Sequence, residues 1–191
     1  MRSRAIVLVT IAALAACAPK DTSRIPEGDG PLVATYRAEF SRTGEPSRKA
    51  RLLLWAEAPD RLHAELIPPV GGSPFTLDAG AGRAVLVDTA ERTAYVGEAG
   101  PDALASLTGV RVGVADAVAA LLSGDAPDGA TIEREADVVG ALPRLFSIEV
   151  GDAKVALTRL RWERGTKGEA TLGTGTPPPG WSVRPLAEWP R

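Results

Sequence analysis

The sequence predicts an α+β fold: a strongly curved antiparallel sheet forming a half-open β-barrel, covered on its concave side by two or three short helices. Three observations predict it. Between residues 32 and 96, six short segments alternate apolar and polar residues and are separated by short turns, most of them holding Gly, Pro or Asp. Between residues 100 and 124 the apolar spacing becomes helical. After residue 130 the alternation returns. A sheet that meanders six times must bury one face, and two apolar helices in mid-chain can cover it.

The elements follow in order. In Leu32 to Arg42, Ala34, Tyr36, Ala38 and Phe40 fall on one face; Thr35, Arg37, Glu39 and Ser41 fall on the other. Glu45-Pro46-Ser47 turns the chain into Lys49 to Glu57, where Leu52, Leu54 and Ala56 align. Leu53 and Trp55 take the opposite face, so this strand is apolar on both sides. After the Ala58-Pro59-Asp60 turn, Arg61 to Ile67 sets Leu62, Ala64 and Leu66 against His63 and Glu65. His63, on the polar face, is expected at the surface. Pro68 to Pro74 interrupts the sheet; Phe75, Leu77 and Ala79 then alternate with Thr76 and Asp78. Arg83 to Asp88 and Arg92 to Val96 complete the first six strands.

Gly100-Pro101-Asp102 opens the first helix, with Pro in the first turn and an acid beside it. Leu104 and Leu107 share a face, and Gly109 closes the helix. The second helix runs from about Val114 to Ser123 with Val118, Leu121 and Leu122 on its apolar side and Asp116 as its only charge. So apolar a helix is normally buried. Three or four strands follow: Thr131 to Ala136; Leu142 to Val150 with Phe146 and Ile148 aligned; Ala153 to Glu163; and a closing segment, Trp181 to Leu186, after the Pro177-Pro178-Pro179-Gly180 turn. In Ala153 to Glu163, Leu160 and Trp162 alternate with Arg159, Arg161 and Glu163. Trp55 and Trp162 suit a core, and Trp189 a partly exposed position.

Composition narrows the function. Of 191 residues, 45% are hydrophobic, which is too apolar for a disordered chain; the 20 Gly and 16 Pro are too many for a helical bundle. The net charge of −2 carries no basic excess, which excludes a typical nucleic-acid binder. One Cys forbids a disulfide within the chain, and one His beside it makes a Cys/His zinc site untenable. No GxSxG, P-loop or HExxH pattern is present, and the scattered Asp residues sit at turns and caps. The expectation is a monomer that is not an enzyme, with no catalytic residue, no metal and no cofactor.

The first twenty residues carry a targeting signal. Arg2 and Arg4 precede a twelve-residue uncharged stretch, Ala5 to Ala16. That is shorter than the ~20 apolar residues of a membrane span and fits a signal peptide. Leu14-Ala15-Ala16-Cys17 resembles the bacterial lipobox. Small side chains admit a peptidase, and the Cys17 thiol is the nucleophile that takes the lipid. Residues 1–16 are thus read as a lipoprotein signal peptide, and residues 17–31 as the lipidated Cys with a flexible tether. The tether's fourteen residues after Cys17 reach ~46–50 Å when stretched. Residues 32–191 form the body. Ala18, rather than Asp, after the Cys implies the outer membrane, periplasmic face, by analogy with lipoprotein sorting.

Within the body, Leu66-Ile67-Pro68-Pro69-Val70-Gly71-Gly72 followed by Phe75-Thr76-Leu77-Asp78-Ala79-Gly80 resembles the outer-membrane lipoprotein receptor family LolB, of the LolA/LolB-like group. So do Leu107-Thr108-Gly109 and Leu121-Leu122-Ser123-Gly124-Asp125-Ala126 around the second helix. The resemblance covers about residues 32–164. It implies a half-barrel that binds acyl chains of lipoproteins or other lipids, such as palmitate, without catalysis. It implies reception of cargo from a periplasmic LolA-like carrier and its insertion at the outer membrane, with the protein itself held by its lipid anchor. The family's membrane-contact loop maps onto Pro69, Val70 and Gly71, where a plain surface turn is the alternative. The cavity and lid would be lined by Leu52, Leu54, Leu62, Leu66, Phe75, Leu77, Leu104, Leu107, Val118, Leu121 and Leu122. The helical part of that stripe is equally a core, because a lid over an empty cavity is a core. The alternative function is a structural or assembly lipoprotein of the envelope that uses the same fold to hold a protein partner.

Overall fold

The computed structural model describes residues 32–68, 75–137, 142–164 and 176–190. Cys17, the segments expected to be signal peptide and tether, and Pro69, Val70 and Gly71, expected as a membrane-contact loop, lie outside the described residues. The order is β1 (Leu32–Arg42), β2 (Arg48–Glu57), β3 (Arg61–Ile67), β4 (Phe75–Gly80), β5 (Arg83–Asp88) and β6 (Thr93–Glu98). Then come α1 (Pro101–Thr108) and α2 (Val114–Leu122), followed by β7 (Ala130–Glu135), β8 (Leu145–Val150), β9 (Ala153–Arg164) and β10 (Ser182–Pro185). A 3-10 turn, Leu186–Glu188, is the last of the described elements. The described residues form an α+β fold: one ten-stranded sheet with two α-helices.

The strands run β10-β6-β5-β4-β3-β2-β1-β9-β8-β7 across the sheet. Its edges, β10 and β7, do not pair, so the sheet is not closed. Every pairing is antiparallel except the last, where β10 lies parallel to β6. The wholly antiparallel sheet expected from the sequence is corrected there. A parallel neighbour cannot be reached by a tight turn. Here β10 returns to the far edge from β9, on the other side of the sheet.

Alternation along each strand sorts two faces. The register aligns Ala34, Leu54, Ala64, Leu77, Leu86 and Tyr95 across six strands in one row. All six are buried. This row is the floor under the helices. The next position on the opposite face carries Trp55, His63, Asp78 and Val85. His63, expected at the surface, is only 8% exposed, and its Nδ1 lies 2.8 Å from Asp78 Oδ1. Arg61 stacks over the Trp55 ring at 4.9 Å. The neighbouring β2 and β4 residues explain the burial: a polar residue on an outer face is sheltered when its cross-strand neighbours are Trp and a hydrogen-bonding carboxylate.

The simple alternation of β9 also breaks. Thr35 pairs with Arg161 but Tyr36 pairs with Arg159, so Leu160 is an extra residue, a β-bulge. One inserted residue moves the following side chains to the other face. Leu160 is thrown outward, 43% exposed, while Trp162 is buried. Arg159 stays on the inner face with Ala153, Val155 and Leu157. Its guanidinium stacks on Trp162 at 3.7 Å, donates to the Leu142 carbonyl at 2.6 Å and pairs with the Asp137 carboxylate. Tyr36, fully buried beside it, donates its hydroxyl to the Pro143 carbonyl at 2.8 Å. The bulge therefore installs a satisfied polar cluster at one end of an apolar interior.

The helices are placed by their caps. Pro101 occupies the first turn of α1 and Gly109 ends it at φ 83°, a left-handed conformation that costs Gly little. α1 buries Ala103, Leu104 and Leu107; α2 buries Val114, Val118, Ala120 and Leu121. At eight and nine residues, both are shorter than the ~12–15 that are marginally stable alone in water. They stay helical because they pack on the sheet.

Burial pushes the Tyr36 hydroxyl above the ordinary tyrosine range, and the nearby Arg159 and Arg134 charges only partly offset this. Above the free tyrosine pKa of ~10, the unfolded chain loses a proton that the native one keeps. The native state then binds more protons, so stability is full below that pKa and falls as pH rises above it. Urea unfolding from pH 8 to pH 11 will show a loss of ~1.4 kcal/mol from this group that Tyr36→Phe lacks. At pH 7 the same variant will be destabilised by ~1 kcal/mol through its missing hydrogen bond.

Candidate functional site

The inner face and the two helices enclose an apolar cavity of about 70 Å³. Its floor comes from Leu52 and Leu54 of β2 and from Leu62 and Ala64 of β3; its far wall comes from Phe146, Ile148, Val155 and Leu157 of β8 and β9. Its roof is Leu104, Leu107 and Thr108 of α1, Val110 and Val112 of the connection, and Ala117 and Leu121 of α2. Thr108 is the one polar residue, and its hydroxyl is spent on the Leu104 carbonyl at 2.8 Å.

The lining reveals the curvature. β3 and β8 are four strand spacings apart in the sheet, ~19 Å if it were flat. Both nevertheless touch one small cavity. The sheet therefore curls around the helices, with β1 at the bottom of the curl. Small side chains there, Ala34 and Ala38, let the two flanks approach.

Of the residues expected to line the site, Leu52, Leu54, Leu62, Leu104, Leu107 and Leu121 do so. The other five share the same apolar cluster but lie outside the cavity. Leu77 and Val118 are fully buried in solid packing. Leu66, Phe75 and Leu122 are half-buried against it. Phe75 is covered by the C-terminal Trp189, whose ring meets it edge-on at 5.5 Å. The half-exposed position expected for Trp189 matches its partial burial.

Val110 and Val112, missed in the sequence reading, were signalled by the run Gly109-Val110-Arg111-Val112-Gly113: an apolar–polar alternation too short to be a strand. The β8 and β9 lining could not be assigned from periodicity, because alternation gives a face but not which strands curl toward which.

Arg134 on β7 fastens the roof. Its Nε donates to the Leu121 carbonyl and its Nη2 to the Leu122 carbonyl, both at 2.9 Å. These are two of the C-terminal carbonyls that a helix cannot satisfy internally, and a cation there also complements the helix dipole. Phe146, opposite Arg134 on β8, lines the cavity. The Arg134 guanidinium is therefore committed to the helix.

The arrangement offers space and shape rather than chemistry. Among the described residues no group of three or more His, Cys, Asp or Glu is placed to hold a metal. The buried His63–Asp78 pair lies on the outer face, separated from the cavity by the sheet. No helix among the described residues is long and apolar enough to cross a membrane. No protein-family model matches the chain, and no curated protein matches it. The cavity's own geometry therefore carries the functional reading.

Arg134→Met keeps the aliphatic stem but leaves two helix-end carbonyls without their donor. It will cost ~1–3 kcal/mol in global stability. Hydrogen exchange will quicken in α2 while the β8–β9 ladder keeps its protection.

Proposed function

We propose that this chain is a lipid-anchored, periplasm-facing protein of LolB-like fold that binds acyl chains without catalysis, receiving lipoproteins at the outer membrane. The observation that carries the reading is the apolar cavity between a curled sheet and two helices too short to stand alone. The lipobox at Cys17 and the motifs around residues 66–80 and 107–126 agree with it.

The physics of such a site is simple. Each methylene moved out of water contributes ~0.8 kcal/mol, without directional contacts. An apolar lining therefore accepts an acyl chain of any register, and transfer between two such linings needs only a modest difference in affinity. A cavity of about 70 Å³ holds a few water-sized volumes, far less than a long acyl chain. Cargo must lift the roof. α1 and α2 are the elements able to move, because their contacts with the sheet are apolar side chains, the Arg134 clasp on α2 and one exposed hydrogen bond from Arg42 to the Gly109 carbonyl at the end of α1. Leu104, Leu107 and Leu121 would exchange one another's company for that of the acyl chain at little cost.

The same small volume favours a second reading, a structural or assembly lipoprotein whose filled interior merely supports a surface for a protein partner. The two readings separate on lipid uptake. Native mass spectrometry of unlipidated protein offered palmitate will show bound lipid under the first and none under the second. Leu104→Asp and Leu121→Asp will abolish uptake, and Ala117→Leu, which fills the cavity with carbon, will reduce it several-fold. Val70→Ala will retain most of it. Urea transitions measured alongside separate lost binding from lost fold. Equal uptake by the wild type and both Asp variants would refute the lid role.

A further inference from the structure

The inner face has two roofs, not one. Of the helices, α2 packs on β2 and β3, and α1 on β4 and β5. At the other end, the C-terminal segment crosses to β6, pairs with it in parallel through Ser182–Pro185, and lays Leu186 and Trp189 over the sheet. Trp189 meets Phe75 edge-on at 5.5 Å and Tyr95 edge-on at 5.0 Å. Leu186 sits so close to the β6 backbone that a Cβ on Gly97 would come within 2.8 Å of its own. Residue 97 has to be Gly for the segment to seat.

The surface beneath Trp189 continues the cavity wall. Leu52, which lines the cavity, is directly opposite Leu66, and Leu66 is directly opposite Phe75. Leu54 and Ala64, also lining, run in register through Leu77 and Leu86 to Tyr95. One apolar strip thus passes from the cavity to the Trp189 seat without a polar interruption.

The cover over that seat is lightly held. All four residues of β10 are exposed, Val183 by 57%, so the strand is fixed by one backbone ladder, by Leu186 and Trp189 on the inner face and by Trp181, which packs on Val85, Val87 and Ala94 of the outer face. Trp189 is itself only half-buried. A groove of about 380 Å³ separates the segment at Pro185–Ala187 from the first turns of α1 at Pro101–Ser106. The two roofs do not interlock, so one can leave without the other. Elements with few buried contacts and exposed backbone bonds open at low cost.

We propose that the Phe75–Tyr95 end of the inner face is a second acyl-chain subsite, occupied in the free protein by the chain's own Trp189. The inference rests on the acyl-binding reading above and adds regulation to it. Trp189 is a tethered competitor: a chain entering under the helices extends along the strip and displaces it. Short chains that end at the cavity leave Trp189 seated; long ones expel it. The segment thereby sets a length threshold for cargo, since apparent affinity falls with the fraction of molecules whose seat is free.

The test uses the full chain labelled with 5-fluorotryptophan, whose four tryptophans give four fluorine resonances. Trp189→Phe assigns one of them. On titration with palmitate, the Trp189 resonance will move to the position of a solvated indole. Octanoate will leave it in place. Trp55, on the outer face, will stay put with both. In parallel, Trp189→Ala will bind palmitate about fivefold or more tightly than the wild type and octanoate equally. Trp189→Phe, which keeps an edge-on ring in the seat, will stay near wild type. A Trp189 resonance that does not respond at palmitate saturation overturns the proposal and leaves the acyl-binding reading intact. That measurement needs only the wild-type fold. Absence of palmitate binding in wild type and variants alike overturns both.

Discussion

The structure depends on covering one apolar face of a sheet that does not close. A barrel removes its edges and shares its interior among all strands. This sheet curls but stops short, with β7 and β10 as free edges. Its inner rows, such as Ala34 to Tyr95, would otherwise stand in water. Burying one Leu side chain contributes ~1.5–3 kcal/mol, so leaving that surface open would forfeit much of the fold's stability. Three features make up the cover: two very short helices, a buried valine connection between them, and a returning C-terminal segment.

The cover is deliberately heterogeneous. Toward β8 and β9 the interior ends in a polar cluster, and there the fold is tight. Tyr36 and Arg159 have their hydrogen bonds met by Pro143, Leu142 and Asp137, and no buried side-chain polar atom among the described residues lacks a partner. A satisfied network of this kind is rigid, since breaking any one member strands the others. Toward the helices and the C-terminal segment most side-chain contacts are apolar, and the directional ones are few: Arg134 on the end of α2, Arg42 on the end of α1 and the β10–β6 ladder. Apolar surfaces slide and exchange partners at little cost. The molecule thus has a stiff end and a yielding end, and the cavity lies between them.

That gradient gives the acyl-binding reading its physical content. A site for acyl chains has no need of catalytic groups; it needs surface that is content with its own side chains and equally content with methylenes. Leu104, Leu107 and Leu121 on short helices would meet that need, and Arg134, with two hydrogen bonds to the end of α2, supplies the directional hold on the helix that this reading requires to move. The cavity between them is small because the free protein fills its interior with itself. A roof that left a large empty space would lose dispersion contacts on every lining atom.

Much of this was legible from residue order. Period-two alternation identified β1, β3 and β5 with the observed ends, and Pro101 with Gly109 bracketed α1, because turns and caps are local chemistry that acts within a few residues. Six of the eleven residues expected at the cavity line it, because burial on a leucine-rich face is also a local pattern. What only the tertiary structure decided was long-range. The bulge at Leu160 put Arg159 and Trp162 on the same inner face and Leu160 outside, a consequence of how β9 meets β1 across more than a hundred residues of chain. His63 was sheltered by Trp55 and Asp78 from neighbouring strands. Phe75 was claimed by Trp189 from the far terminus, and β10 chose a parallel partner. Sequence determines which face of a segment is apolar; only closure of the chain on itself determines which other segment that face meets, since contacts between distant residues leave no periodic trace along the chain.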